Sequence, residues 1–120
     1  MYVEGVVKYE GKSATVKFLV DPCLPHTVLA RDVWELLGVK PIGEVGVALT
    51  DGSVVNRRVG EVTLELPGLG EKRVLVILGE PGDLNILGES TLEAFCLVFN
   101  PLTREVKPCR PIPRRVQYIC

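Results

Sequence analysis

Short runs in which apolar and polar residues alternate, separated by turn residues, occupy most of this 120-residue chain. Alternation with a period of two is typical of strands that bury one face. The first two runs flank the turn Glu10-Gly11-Lys12. A later pair flanks Thr50-Asp51-Gly52, where Asp-Gly favours the positive φ angles of a tight hairpin. The pattern predicts strands over residues 2–9, 13–20, 45–49, 53–58, 61–66, 73–78, 97–100 and 104–107.

Two short segments have helical spacing instead. Residues 29–37 place five apolar side chains on one helical face, and Gly38 follows at the position of a left-handed C-terminal cap. Ser90 and Glu93 have the spacing of a capping box, which predicts a second helix over residues 91–95. The sequence therefore predicts an all-β fold with two short helices. The predicted apolar face of the first helix consists of Leu29, Val33, Trp34, Leu36 and Leu37.

Length and C-terminal composition predict one domain followed by a tail. A chain of 120 residues buries one compact core but not two. Residues 1–107 contain all the elements named above, and we expect them to form the domain. Residues 108–120 are rich in proline and arginine, which predicts an extended surface tail with one strand-like segment at residues 116–119.

The net charge of the chain is close to zero, so long-range electrostatic attraction does not select its partners. The chain has 14 Lys and Arg against 15 Asp and Glu, which does not favour nucleic acid or an anionic membrane as a partner. The basic residues of the tail are typical of a solvated chain end. The first residues lack the pattern of a signal peptide, and no segment reaches the roughly 18 apolar residues that a membrane span requires. We expect a soluble, cytoplasmic protein.

The four cysteines do not form a metal-binding pattern. Cys23, Cys96, Cys109 and Cys120 are widely spaced, and His26 is the one histidine, so the sequence predicts no zinc site. Few amide side chains and many valines, glutamates and arginines are typical of thermophilic proteins. Some thermophiles keep intracellular disulfides, so a disulfide between some pair of these cysteines stays open.

Asp21 is the chemically most informative residue. It ends the apolar run Phe18-Leu19-Val20, which predicts a buried strand with a carboxylate at its end. Burial disfavours the charged form of a carboxylate, so a protein keeps one there where donors or a second carboxyl compensate. Two interpretations remain open at this point: Asp21 performs catalysis, or it accepts a fixed set of loop hydrogen bonds.

The motifs follow one another in an informative order. They are the strand ending in Asp21, His26-Thr27-Val28-Leu29, a helix closed by Leu37-Gly38, the Asp51-Gly52-Ser53 hairpin, Ile86-Leu87-Gly88, a second helix, and Leu97-Val98-Phe99-Asn100-Pro101. In this order and spacing, over residues 2–107, the chain resembles the retropepsin-like aspartic protease family. The resemblance implies a closed β-barrel assembled as a homodimer, with the terminal strands in the interface and with no cofactor or metal.

The resemblance also implies roles for individual residues. Asp21 would be the catalytic carboxylate and would share one proton with Asp21 of a second, identical subunit. The active-site loop reads Pro22-Cys23-Leu24 where the family has Thr-Gly-Ala. The hairpin around Asp51 would be a flap over an extended peptide substrate. The expected flap or substrate-binding residues are Val47, Leu49, Asp51, Gly52, Val54 and Val55, and Ile86, Leu87 and Gly88 would support the loop.

The altered loop leaves two functions open. Pro22 lacks both the hydroxyl and the amide hydrogen of threonine, and Cys23 adds a side chain where the family has none. The chain is thus either an aspartic peptidase or a catalytically inactive dimeric module that binds peptide or serves assembly. Cys23 fits a core filler or a thiol pair across the dimer axis. A thiol nucleophile with His26 is not favoured, because residues three apart in a loop have no assured facing geometry.

Overall fold

The computed structural model describes residues 1–108, which contain nine strands and two short helices. The strands are β1 (Tyr2–Tyr9), β2 (Lys12–Val20), β3 (Thr27–Leu29), β4 (Gly43–Ala48), β5 (Val54–Leu66), β6 (Gly70–Leu78), β7 (Ile86–Leu87), β8 (Leu97–Asn100) and β9 (Glu105–Pro108). The helices are α1 (Arg31–Leu37) and α2 (Glu89–Ala94). The predicted tail beyond Pro108, with its strand-like segment and with Cys109 and Cys120, lies outside the described residues.

Six strands close into a barrel in the order β1-β2-β7-β3-β6-β5, because β5 pairs back onto β1. Strand β4 extends the sheet beyond the barrel and pairs with the first half of β5. Strands β8 and β9 form a separate hairpin. The predicted all-β closed barrel with two short helices is therefore confirmed.

The first hairpin forms as its alternating pattern predicts. Val7, Val16 and Phe18 point into the barrel core and are buried. The turn between the strands has positive φ at Glu10 (46°) and Gly11 (81°), which matches the right-handed twist of a two-residue hairpin. The alternation and the turn that specify this hairpin are local in the sequence, and its second strand ends directly before Asp21.

Strand β5 corrects the prediction of two separate strands at residues 53–58 and 61–66. One strand of 13 residues runs through Val59-Gly60. Gly60 does not break the strand. A Cβ built there would lie 2.7 Å from Cγ1 of Val39, so this glycine allows a close crossing of the chain. The outer hairpin is therefore a continuous extension of a barrel strand.

Both helices begin at other residues than the pattern predicts. Helix α1 begins at Arg31, because Thr27–Leu29 instead pairs with β6 and β7 as strand β3. Leu36 was expected in the core and is 69% exposed. The predicted cap is confirmed, since Gly38 has φ of 72°. Helix α2 spans Glu89–Ala94 with Gly88 as its N-cap, and the expected capping box does not form.

Two further findings concern cysteine chemistry and membranes. Cys96 is disulfide-bonded, so this cysteine belongs to the pairing that the sequence left open. Among the described residues, no helix is long and apolar enough to cross a membrane.

Candidate active site

Asp21 lies immediately after β2 and begins the loop that leads to β3, residues 21–26. Its Oδ1 accepts a 3.0 Å hydrogen bond from the Cys23 amide. Its own amide donates a 3.0 Å hydrogen bond to the Leu87 carbonyl. Among the described residues, Oδ2 accepts no hydrogen bond. The loop thus fixes one carboxylate oxygen and leaves the other for a further partner.

The expectation that Asp21 is buried is wrong for a single chain. The side chain is half-buried, because β2 ends at Val20 and Asp21 already belongs to the loop. Pro22 and Leu24 are half-buried and Cys23 is exposed. This end of the barrel therefore stays accessible in one subunit.

The N-terminus of helix α2 donates hydrogen bonds to the Asp21 loop. The amide of Glu89 donates to the Leu24 carbonyl at 2.8 Å, and the amide of Ser90 donates to the Pro25 carbonyl at 3.1 Å. The first amides of any helix lack intrahelical partners. In α2 the loop carbonyls supply the acceptors, which explains why the helix forms without a capping box.

Gly88 allows this close packing. A Cβ built at Gly88 would lie 2.3 Å from the His26 carbonyl oxygen and 2.8 Å from the Leu24 carbonyl oxygen. Both are backbone atoms, so no side-chain movement relieves the contact. Ile86 and Leu87 place Gly88 at this point, because β7 pairs with both β2 and β3.

Cys23 adopts the loop conformation without the backbone freedom of glycine. Its φ is not positive, in contrast to six glycines and three other residues of the described chain. A side chain at this position therefore causes no left-handed strain. Cys23 therefore stands where the family has glycine without a left-handed backbone at this residue.

The β4–β5 hairpin, which the resemblance led us to expect as the flap, has its tip at residues 49–53. The Leu49 amide donates to the Ser53 carbonyl at 2.8 Å, and Gly52 has φ of 87°. Asp51 Oδ1 accepts from the Ser53 amide at 2.9 Å and from the Ser53 hydroxyl at 2.5 Å. The hydrogen bond from the Ser53 hydroxyl is the larger cause, and the one from the Ser53 amide the smaller, that lowers the pKa of the Asp51 carboxyl below its ordinary value. The carboxylate therefore closes the turn.

We expect the flap turn to keep its structure at mildly acidic pH. Because the folded pKa of Asp51 is lowered, its stabilisation is fully present above the ordinary aspartate value of about 3.9. It is lost only as the pH falls through the lowered folded value. Titration of the Asp51 carboxyl by NMR should give a midpoint below the ordinary value. Ser53→Ala removes the hydroxyl donor and should move the midpoint upward, and a midpoint that does not move would contradict the assignment.

An apolar cluster lies between the flap and the Asp21 loop, and we call it the cleft cluster. Its members come from the loop, from β3 to β7 and from the flap, so it connects the floor of the site to its lid. They are Leu24, Val28, Val45, Val47, Val59, Ile77 and Ile86. All seven are aliphatic. The three residues Val28, Val59 and Ile77 are buried, and the other four are half-buried.

The structure brings some expected flap residues to the cleft and leaves others at the tip. Val47 packs in the cleft cluster, and Val55 pairs with it across the strands and is half-buried. Leu49 is 43% exposed and Val54 is 67% exposed. The tip thus exposes two apolar side chains to solvent.

The sequence did not single out two buried polar residues behind the loop. Thr27 and Thr91 lie in the core where β3 meets α2. A threonine at an otherwise apolar position of each element is the one signal that marks them. No group of three or more His, Cys, Asp or Glu residues within residues 1–108 is placed to hold a metal.

Comparisons with known proteins agree with this geometry. A family model described as aspartyl protease matches residues 5–91. No curated protein matches the sequence. The EIAV protease in complex with the inhibitor HBY-793 is 18% identical, with a TM-score of 0.59, over 78% of this chain and 86% of that chain.

Two further solved structures have the same fold. The retroviral protease-like domain of Ddi1 from Leishmania major is 15% identical, with a TM-score of 0.53, over 90% of this chain and 88% of that chain. A foamy viral protease-reverse transcriptase bound to an RNA/DNA hybrid is 14% identical, with a TM-score of 0.55. That match covers 91% of this chain but 13% of the viral one. At these identities the solved structures establish a retroviral protease fold.

Proposed function

This chain belongs to the aspartyl protease family, and from that premise we propose that it is a peptidase that uses Asp21 from each of two identical subunits. The observation that carries the proposal is the Asp21 carboxylate. Its Oδ1 is fixed by the Cys23 amide, and its loop is held by helix α2. A carboxylate in a fixed orientation at the edge of an apolar cleft has the geometry of a general acid or base.

The proposed mechanism needs two carboxyls and no cofactor. Two carboxyls in close contact share one proton, because two adjacent negative charges disfavour each other. The ionised carboxylate takes a proton from a water molecule, which attacks the peptide carbonyl carbon. The protonated carboxyl donates its proton to the carbonyl oxygen. The carboxyl that took the water proton then gives it to the peptide nitrogen, and the C–N bond breaks to release the amine. As the carboxylic acid product forms, a hydroxyl of the tetrahedral intermediate returns its proton to the other carboxylate, so the pair again holds one proton.

The proposed mechanism requires a homodimer, because one chain supplies one Asp21. A two-fold axis that passes beside the loop would bring this residue against its copy. We propose that the terminal segments contribute to the interface. Within residues 1–108, β8 and β9 pair only with each other, which leaves outer edges for pairing. Sedimentation across a concentration series tests this, and a strict monomer in which cleavage persists would contradict it.

We propose an extended peptide as the substrate. An extended backbone can form hydrogen bonds between the flap and the floor of the site as an added strand. The aliphatic cleft cluster would accept an apolar side chain of this peptide.

Residues 1–107 would form the whole protease domain, with residues 108–120 as a tail. Cleavage of an unfolded protein by the purified chain at mildly acidic pH, blocked by a pepstatin-like inhibitor, tests the activity.

Pro22 and Cys23 favour a second candidate function, a dimeric module without catalysis. The resemblance implies that a threonine hydroxyl at position 22 would form a hydrogen bond across the axis, and proline cannot form it. The module would bind peptide in the same cleft or serve assembly. It predicts no turnover under any condition, and it predicts that removal of the Asp21 charge changes neither dimerisation nor peptide affinity.

We expect the double variant Pro22→Thr and Cys23→Gly to raise the cleavage rate by about tenfold, the value of roughly one buried hydrogen bond. Threonine would restore the hydroxyl that the resemblance implies at position 22, and glycine removes the Cys23 side chain, which is exposed in the single chain. Initial rates on one unfolded substrate, at a concentration where the protein is dimeric, measure the effect. The two single variants separate the contributions. A double variant slower than the wild type would show that this loop is adapted to Pro22-Cys23.

A further inference from the structure

The core contains two polar side chains that the proposed chemistry does not use. Thr27 is 0% exposed and Thr91 is 1% exposed, and they are the buried polar side chains of residues 1–108. Their Oγ1 atoms lie 2.5 Å apart, and either hydroxyl can be the donor. Thr27 Oγ1 also accepts a 3.0 Å hydrogen bond from the Gly88 amide. A buried network of three groups therefore joins β3 to the beginning of α2.

The network is not needed to fill space. Valine has nearly the shape of threonine, and replacing both partners of a buried hydrogen bond with apolar groups is often close to neutral for stability. A valine at position 27, however, would leave the buried Gly88 amide without its acceptor, which is costly. The Thr27 hydroxyl is thus required as an acceptor, and Thr91 fixes the orientation of that hydroxyl.

The network lies directly behind the catalytic loop. Gly88 is the residue whose missing side chain lets α2 approach the loop carbonyls. The next two amides of α2 donate to those carbonyls, and the preceding residue Leu87 accepts the Asp21 amide. A rotation of the segment around Gly88 would therefore change the position of the loop at both of its ends. Thr27 is the side chain that ties this segment to the barrel.

We propose that Thr27, oriented by Thr91, is a positioning residue for the Asp21 carboxylate. It acts through Gly88 and the loop backbone and does not contact the carboxylate. The inference rests on the proposed peptidase function, because catalysis requires the carboxylate in one orientation. The hydrogen bonds of the two threonines fix the position of the Asp21 loop relative to the barrel. In the proposed dimer, both subunits would then present the Asp21 carboxylate in the same orientation.

Kinetics on the dimeric protein test the positioning role. Thr27→Val should lower kcat by at least about tenfold and change KM by less than about twofold, because the flap and cleft are untouched. Thr27→Ser retains the hydroxyl and should keep kcat within about threefold of the wild type. Thr63→Val, on β5 and outside this network, is the matched control and should leave both constants unchanged. Thr27→Val with the wild-type kcat would overturn the proposal.

Amide hydrogen exchange tests the same network without turnover. Thr27→Val should accelerate exchange at Gly88, Glu89 and Ser90 by at least about tenfold and leave the amides of β5 and β6 unchanged. If this variant does not fold, Thr91→Val serves instead, since it keeps the bond between Thr27 and Gly88. It should accelerate the same three amides by about threefold.

The exchange result separates failure of this proposal from failure of the proposed function. Unchanged exchange at the three amides, or equal acceleration throughout the barrel, would overturn the positioning role. A wild-type dimer without any turnover would reject the peptidase function alone. In that case local acceleration at the beginning of α2 still supports the positioning of the loop, and uniform acceleration rejects it.

Discussion

Asp21→Asn is expected to reduce peptide cleavage by at least about 1000-fold at every pH, a value within the range for loss of a general acid–base group. Asparagine has nearly the same shape and can still accept the hydrogen bond from the Cys23 amide. It cannot take a proton from water, and a pair of asparagines cannot share one. The loop is therefore expected to keep its structure while the chemistry is lost.

The measurement needs proof that the variant is folded and dimeric. The one tryptophan, Trp34, reports the fold, because its indole nitrogen donates a 2.9 Å hydrogen bond to the Gly79 carbonyl in the barrel. Asp32→Asn removes the same charge from an exposed position on α1 and is the matched control. Cleavage that survives Asp21→Asn would exclude the paired-carboxylate mechanism. Absent cleavage in the wild type, with equal peptide affinity in both proteins, would support the non-catalytic module.

The elements that the sequence predicted well are those that local pattern specifies. The β1–β2 hairpin depends on alternation and on one turn, and both are visible in about twenty residues. The position of Asp21 after β2 follows from the same pattern. The flap turn is likewise local, because Asp51, Gly52 and Ser53 provide the carboxylate, the positive φ and the donors that close it.

The elements that the sequence did not predict depend on distant partners. Strand β3 has three residues, and it exists because β6 and β7 supply its hydrogen bonds. Separate strands were predicted at residues 53–58 and 61–66, and the role of Gly60 within one continuous strand appears only where Val39 packs against it. The N-terminus of α2 was assigned to a local capping box, but its acceptors are loop carbonyls about 65 residues earlier in the chain. Pattern within one segment cannot show such contacts.

The same distinction applies to the candidate site. The resemblance identified Asp21 and the residues around Gly88 because they form contiguous motifs. The pairing of Thr27 with Thr91 joins two elements that are far apart in the chain, and single threonines carry little local signal. In the proposed dimer the environment of the carboxylate also includes a second subunit, which one sequence specifies only through its symmetry.

Gly88→Ala is expected to lower the free energy of unfolding by about 3 kcal/mol, the upper range for overpacking in a rigid site. The added Cβ would lie 2.3 Å from the His26 carbonyl oxygen, so the backbone of the loop or of α2 must move. A displacement of about 1 Å at a catalytic group costs about 100-fold in rate. The variant should therefore lose activity even under conditions where it remains folded.

Urea unfolding followed by Trp34 fluorescence measures the stability, and initial rates in the absence of urea measure the catalytic effect. Gly43→Ala is the matched control, because a Cβ there meets its nearest neighbour at 3.8 Å and the residue does not have positive φ. That control should change neither quantity appreciably. A Gly88→Ala protein with wild-type stability and wild-type rate would show that the loop and α2 are not in close contact, and the support of Asp21 by this segment would then be wrong. Because the added Cβ is fixed to its own backbone and its nearest neighbours are backbone atoms, rotation of side chains cannot relieve such a contact.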